Sequence, residues 1–340
     1  MRPAKPITHW TDSAGAERPV VLWREGALVP WDQATIHVNA VGHASVSGVF
    51  EGIRAYWNEK QGMLHVFRLH EHMQRFVESA RLARLKISFS VDQLVQASLA
   101  LLQANSARSD MYIRPWCFAR GFIREVLVPP DAPAEVVIDT WQAPSLLLAN
   151  RTCTACISSW TRVDMDSMPV RAKAFANYHN GRLALAEARD RGCDWPILLN
   201  RHGNVTEGPG ACVIAIKKGK AYTPACEDGI LDSITRRTVL SLLEHDLHIP
   251  VVEKQLDRSE LVLADELMFI GTVWEILRIA KIDGMVVGKA GRAEIVAATE
   301  RLYHDVARGC VDRGAEWRTS LTVGESATPT DCPRTHCNRS

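Results

Sequence analysis

Lys173, Tyr178 and Glu207 are an amine, a phenol and a carboxylate, carried on two neighbouring segments that read RAKAFANY (171–178) and TEGPG (206–210). An amine can condense with an aldehyde to form a Schiff base. A phenol can hold a phenolate oxygen, and a carboxylate can keep a pyridinium nitrogen protonated. Those are the three demands of a pyridoxal phosphate ring, so convergence of the triplet would make the chain an enzyme of that cofactor. The neighbours of Lys173 are small or apolar (Ala172, Ala174, Phe175, Ala176). Desolvation among them predicts a lowered amine pKa. Taken singly, each group has a plainer reading, a surface lysine or a turn carboxylate.

The phosphate needs its own cradle. Ile234-Thr235 opens a predicted helix, which offers free N–H groups, the positive end of a dipole and a hydroxyl. Gly271-Thr272 closes a predicted strand with a second hydroxyl, and Arg75 can add a permanent charge. An ordinary helix cap and a surface ion pair are the alternatives for these positions. Cys153 and Cys156 form a CxxC inside a strand-like run, where positions i and i+3 face opposite ways. His70 and His72 open a helix two apart and do not face each other. Neither pattern predicts a metal site.

The elements that must position these groups fall into two blocks. Short apolar runs at Val20–Trp23, Ala27–Val29, Val49–Tyr56 and Met63–Phe67 predict strands. Helical periodicity then covers Leu69 to about Leu85, with Met73, Phe76, Val77 and Ala80 inward, and Val91–Ala104, with Val95, Leu99 and Leu102 inward. Strands at Met111–Ala119 and Ala134–Trp141 follow, around the loop Val128–Pro133. The second block predicts strands at Thr152–Trp160, Trp195–Asn200, Ala211–Ile216, Lys220–Thr223 and Glu266–Ile270. Its helices run from Tyr178 or Asn180 to Arg191, from Ser233 or Thr235 to His245, and from Ala293 to Arg308. Strands and helices are grouped rather than strictly alternating, which predicts an α+β fold.

Composition fits a soluble globular protein: 340 residues, 46% hydrophobic, 23% charged, net charge +1. That balance argues against a nucleic-acid or membrane-surface partner. No apolar run is long enough to span a bilayer, and nine cysteines, several in apolar strands, read as reduced thiols of a cytoplasmic protein.

The motifs FEGIRAY (50–56), EHMQR (71–75), YIRP (112–115), KAFANY (173–178), EGPG (207–210), SITR (233–236), LADE (263–266) and GT (271–272) occur in this order. With them the chain resembles the fold-type IV pyridoxal-phosphate transaminases, the branched-chain amino acid transaminase group, from about Val20 to Arg308. The resemblance implies a two-domain fold, a smaller N-terminal α/β sandwich and a larger C-terminal pseudo-barrel. It implies ping-pong exchange of an amino group between an amino acid and a 2-oxo acid, in a homodimer or higher homo-oligomer. Lys173 would be the Schiff-base lysine and carry the proton between substrate Cα and cofactor C4′. Tyr178 would bond the ring O3′ and Glu207 the ring nitrogen, while Arg75, Ile234, Thr235 and Thr272 would hold the phosphate. Phe50, Gly52, Tyr112, Arg114, Val273 and Trp274 would lie on the substrate side.

Pattern and resemblance together divide the chain into an extension (1–19), a small domain (20–141), a connector (142–151), a large domain (152–312) and a disordered tail (313–340). Three departures fall on the substrate side. The group usually has His-Tyr-Gly-Thr where this chain has the run around Ser45, Gly-Thr-Ala-Ala-Glu where it has Gly271-Thr272-Val273-Trp274-Glu275, and Gly-Gly where it has Phe175-Ala176. A specialised donor, a D-amino acid or amine transaminase, and a lyase of the same fold are the alternatives; a non-catalytic binding protein is the remaining one.

Overall fold

The structure, a computed structural model, describes residues 18–120, 127–129, 132–289 and 293–324. Most of the expected N-terminal extension, part of the Val128–Pro133 loop and the last sixteen positions lie outside the described residues. Two sheets share no strand, and the chain passes from one to the other between Gln142 and Thr152. Together with the helices packed on each, they make the α+β, two-domain fold expected from the sequence.

The first sheet runs, edge to edge, Arg318–Thr322, Met63–Phe67, Ile53–Asn58, Met111–Ala119, Ala134–Gln142, Val21–Arg24, Ala27–Pro30, with antiparallel pairing throughout. The short strand Val49–Phe50 pairs with Cys117 and Trp116 beyond the end of Ile53–Asn58. Helices Leu69–Leu82 and Val91–Ala104 cover one face, where Met73, Phe76, Leu94 and Leu101 meet Ile53, Leu64, Val66 and Ile113 in a continuous core. Val77, Val95 and Leu99, expected inward, are only partly buried at its margin, because the buried stripe is Leu69, His72, Met73, Phe76 and Ala80 on the first helix and Leu94, Ala97, Ser98, Leu101 and Leu102 on the second. The opposite face is ring-rich and is partly covered by the helix Val41–Ser47.

The second sheet runs Val251–Glu253, Lys220–Thr223, Cys212–Lys217, Glu266–Gly271, Glu275–Ile282, Thr152–Thr161, Trp195–Leu199, and mixes parallel with antiparallel pairs. Its Cys212–Lys217/Lys220–Thr223 hairpin turns through Lys218 and Gly219, both with positive φ, which is the geometry a two-residue hairpin favours. Helices Ile234–Ser241 and Glu294–Ala307 pack on one face, and Phe175–Asp190 lies against Thr152–Thr161 and Trp195–Leu199.

One expectation fails. The tail was expected to be disordered from residue 313, but Arg318–Thr322 pairs residue by residue with Met63–Phe67. The polar alternation Arg-Thr-Ser-Leu-Thr suits an edge strand, which buries only Leu321.

Candidate active site

The segment bearing Lys173 is pinned before its side chain reaches anything. Phe50 N–H donates to the Lys173 carbonyl (3.0 Å), Phe175 N–H donates to the Gly48 carbonyl (2.9 Å), and Lys173 N–H donates to Ser79 Oγ (3.0 Å). The helix begins at Phe175, three residues before the earliest expected start, so Tyr178 lies on its first turn. There its hydroxyl is 2.7 Å from Lys173 Nζ, in a cavity of about 260 Å³ that Glu207, Arg75 and Thr272 also line. The opening triplet therefore does converge.

The expected direction of the Lys173 pKa is reversed. Burial pulls it down, but the acidic groups around it, Tyr178 and Glu51 foremost, outweigh burial and raise it. The sequence-level expectation counted the apolar neighbours in the chain and neither the nearby Tyr178 phenol nor the Glu51 carboxylate, which another element supplies.

Glu207 lies where the chain folds back on itself: Leu198 N–H donates to its carbonyl (3.0 Å), and the next residue, Gly208, donates its N–H to the Ala211 carbonyl (2.8 Å). Its carboxylate is held on both oxygens: Arg162 Nε and Nη2 donate to Oε1 at 3.0 and 2.8 Å, and Leu231 N–H donates to Oε2 at 3.2 Å. Arg162 lines the cavity and was missed in the sequence, where it is one arginine just past a strand end, with no local pattern. Close packing beneath the carboxylate needs glycine. A Cβ on Gly208 would come within 2.9 Å of Phe269, and one on Gly271 within 2.8 Å of the Gly210 carbonyl.

Arg75 is held by a buried network. Its Nε and Nη2 donate to the two oxygens of Glu51 (2.6 and 2.9 Å), and Nη1 donates to the Asp232 carbonyl (2.7 Å). His72 Nδ1 lies 2.8 Å from Glu51 Oε2. Burial alone would raise the Glu51 carboxyl, but Arg75 and His72 hold it far below the usual carboxylate range. Burial also lowers the His72 pKa, against the pull of Glu51, so the ring is neutral and donates. The Asp232 contact brings Arg75 to the start of the Ile234–Ser241 helix, whose Ser233 cap accepts from Arg236 N–H. Ile234, Thr235 and Thr272 share a small recess beside the main cavity, with the two threonine hydroxyls 3.4 Å apart.

Arg54, inside the FEGIRAY motif, fixes the Thr272–Trp274 turn. It donates to the carbonyls of Thr272 (2.9 Å), Val273 (3.1 Å) and Ala143 (2.9 Å). Glu275, fully buried with φ +58°, accepts from Ser145 Oγ and Leu146 N–H at 2.7 Å each. Turn and connector are thus tied together.

Of the expected substrate-side residues, Phe50, Tyr112, Val273 and Trp274 line the cavity. Gly52 acts by what it lacks, since a Cβ there would sit 1.8 Å from the Tyr112 hydroxyl. Burial pushes that phenol up to about 12, so it keeps its proton and can donate. Trp274 packs against Trp195 with ring centres 4.2 Å apart and planes inclined by 43°. Arg114 is elsewhere: it lies between Trp116 and Trp141 with Asp139 at 3.6 Å, outside the lining of this cavity. Ser45 is exposed on the Val41–Ser47 helix and borders a second cavity. Cys153 and Cys156 are both buried, and burial pushes each thiol up to about 12.

The donor set fits pyridoxal phosphate. One cavity is lined by an amine within hydrogen-bond reach of a phenol, and by a carboxylate that a guanidinium holds in place. Alongside them are an arginine, a helix start and two threonine hydroxyls that could take the phosphate.

The family model for amino-transferase class IV matches residues 48–282. The probable branched-chain-amino-acid aminotransferase of Aquifex aeolicus is 34% identical over 300 residues, covering 87% of this chain and 95% of that protein. Among solved structures, the branched-chain amino acid aminotransferase of Thermobaculum terrenum in its PLP form superposes with a TM-score of 0.87 and 40% identity, over 91% of this chain and 99% of that one. The branched-chain aminotransferase of Thermoproteus uzoniensis with norvaline gives 0.82 and 37%, over 89% and 99%. A lyase, a D-amino acid or amine transaminase, and a binding protein are not favoured by these likenesses.

Proposed function

This chain belongs to the class IV aminotransferases, enzymes that work with pyridoxal phosphate, and from that premise we propose that its donor is an L-amino acid with an apolar, branched-chain-like side chain. The observation that carries the reading is the cavity itself, where Lys173 Nζ lies 2.7 Å from the Tyr178 hydroxyl beside a wall of rings. When bound, pyridoxal phosphate supplies an electron-withdrawing ring that stabilises negative charge at the substrate Cα. The chain's own residues do the rest. Lys173 Nζ moves the proton between that Cα and the cofactor C4′. Tyr178 would hydrogen-bond the ring O3′, and Glu207, oriented by Arg162, would accept from the ring N–H.

Arg75, the N–H groups of Ile234 and Thr235, and the hydroxyls of Thr235 and Thr272 hold the phosphate. Arg54 keeps the Thr272–Trp274 turn in one shape, so its amides present a fixed edge to the substrate carboxylate. Phe50, Tyr112, Val273 and Trp274 surround the substrate and exclude water.

The test is a donor–acceptor screen on cofactor-loaded enzyme. Best turnover is expected with leucine, isoleucine, valine or norvaline and a 2-oxo acid; best turnover on D-amino acids or on amines lacking the carboxylate would sink the reading. A second reading, an apolar donor outside the branched-chain set, is favoured by Trp274 on Trp195 at the cavity wall. The same screen separates the two. We also propose a homodimer in the cytoplasm. The exposed Val38, Val41 and Val46 on one surface segment support an interface, to be checked by light scattering, and the buried free cysteines support a reducing compartment. Among the described residues no helix is long and apolar enough to cross a membrane.

A further inference from the structure

Behind Phe50 lies Phe175, the first residue of the helix that carries Tyr178. The two rings stack nearly parallel, centres 4.4 Å apart and planes 19° apart. Phe50 faces the active-site cavity, and Phe175 faces a second cavity of about 330 Å³ whose apolar walls include Leu22, Ala44, Trp116, Phe118 and Val137. The stack is therefore a wall two rings thick between two spaces. Phe175 is fitted to its place: Trp116 meets it edge-on at 5.9 Å, and a Cβ on Gly48 would lie 2.8 Å from its ring. The backbone bond from Phe175 N–H to the Gly48 carbonyl fixes the ring's origin.

We propose that Phe175 determines donor size by backing Phe50, so that the active-site cavity ends at Phe50 and excludes long or aryl side chains from the space beyond. The proposal rests on the reading of the donor as an apolar amino acid. Without the Phe175 ring, Phe50 has room to retreat and the cavity deepens. With both rings gone the two cavities join, and in the second, where Arg24, Glu135 and Asp139 also line the space, the apolar Leu22, Trp116, Phe118 and Val137 suit an aryl group.

The experiment compares wild type, Phe175→Gly, Phe50→Ala and the double variant, all loaded with cofactor. Calorimetry gives the binding of 4-methylvalerate and 4-phenylbutyrate, and half-reaction rates are taken with leucine and homophenylalanine. The aryl-to-aliphatic ratio is expected to rise roughly ten-fold in Phe175→Gly. In the double variant it should rise by more than the product of the single changes. Should Phe175→Gly unfold, Phe175→Leu keeps apolar bulk beside Gly48 and should show a smaller rise. Unchanged ratios in folded single and double variants overturn the proposal. If wild type turns over no apolar amino acid but the carboxylate-binding ratio still shifts, the donor assignment fails and the wall stands.

Discussion

On one side of the comparison, Glu51 joins Arg75 and His72, and separately Arg162 joins Glu207, through hydrogen bonds between 2.6 and 3.0 Å. On the other, Phe50, Phe175 and Trp116, and separately Trp195 and Trp274, meet through ring faces and edges 4.2 to 5.9 Å apart. The first side depends on direction and charge: a buried ion that loses its partner keeps its full desolvation cost. The second depends on shape, and a lost ring leaves space that neighbours partly refill. Changes on the charged side should therefore act on whether the enzyme works, and changes on the ring side on what it accepts.

The largest break in that contrast is Lys173→Ala. Turnover should fall by at least about a thousand-fold, since proton transfer at the substrate Cα loses its carrier. Borohydride should no longer fix colour to the protein, while the melting temperature stays close to wild type. Retained turnover would move the proton carrier to another residue.

Glu51→Gln comes next. Arg75 then lacks its counter-charge, and about 3 kcal/mol of stability should be lost in a denaturant titration. The sign with pH follows from the two shifts. The lowered Glu51 pKa contributes stability above the usual glutamate range that is lost in acid, and the lowered His72 pKa makes charging that ring unfavourable as pH falls. Wild type should thus lose stability from about pH 6 downward. Glu51→Gln should show a flatter acid limb, and an unchanged limb would place the acid sensitivity elsewhere.

A smaller effect is expected for Arg162→Gln, which leaves Glu207 with only the Leu231 N–H. The turnover number should drop by about ten- to a hundred-fold with looser cofactor binding. Partial rescue by Arg162→Lys, which restores the charge without the fork, would separate electrostatics from simple packing. Trp274→Ala should do least to turnover. A gain of a few-fold for longer donors is expected, with a loss of about 1 kcal/mol from the Trp195 contact. A turnover loss as large as that of Arg162→Gln would erase the contrast between the two sides.

How legible this was in the sequence follows the same division. The helices at 69–82 and 91–104 and the strand Met111–Ala119 were readable because their apolar period matches their geometry. Lys173, Tyr178 and Glu207 were readable because small or glycine-rich neighbours set them apart. Arg162 was not, because its partner is 45 positions away and only the fold brings them together. The strand Glu275–Ile282 was missed because Arg278 and Lys281 interrupt its apolar run. The helix Val41–Ser47 was missed because, apart from Ala44, Val-Gly-His-Ala-Ser-Val-Ser holds only weak helix formers and no helical stripe, and none of its residues is buried. The direction of the Lys173 pKa was unreadable in part for the reason Arg162 was: Tyr178 is close in the chain, but Glu51 comes from another element.

The pairing of Arg318–Thr322 with Met63–Phe67 has a consequence for the order of synthesis. A ribosome delivers the first sheet's inner strands early and its last strand some 250 positions later. Until then the Met63–Phe67 edge is open to other strands, and a nascent chain is exposed to mispairing there. Closing that edge requires a contact of very long sequence separation, which slows the final step of folding. The N-terminal half is thereby completed by nearly the last described residues to be made.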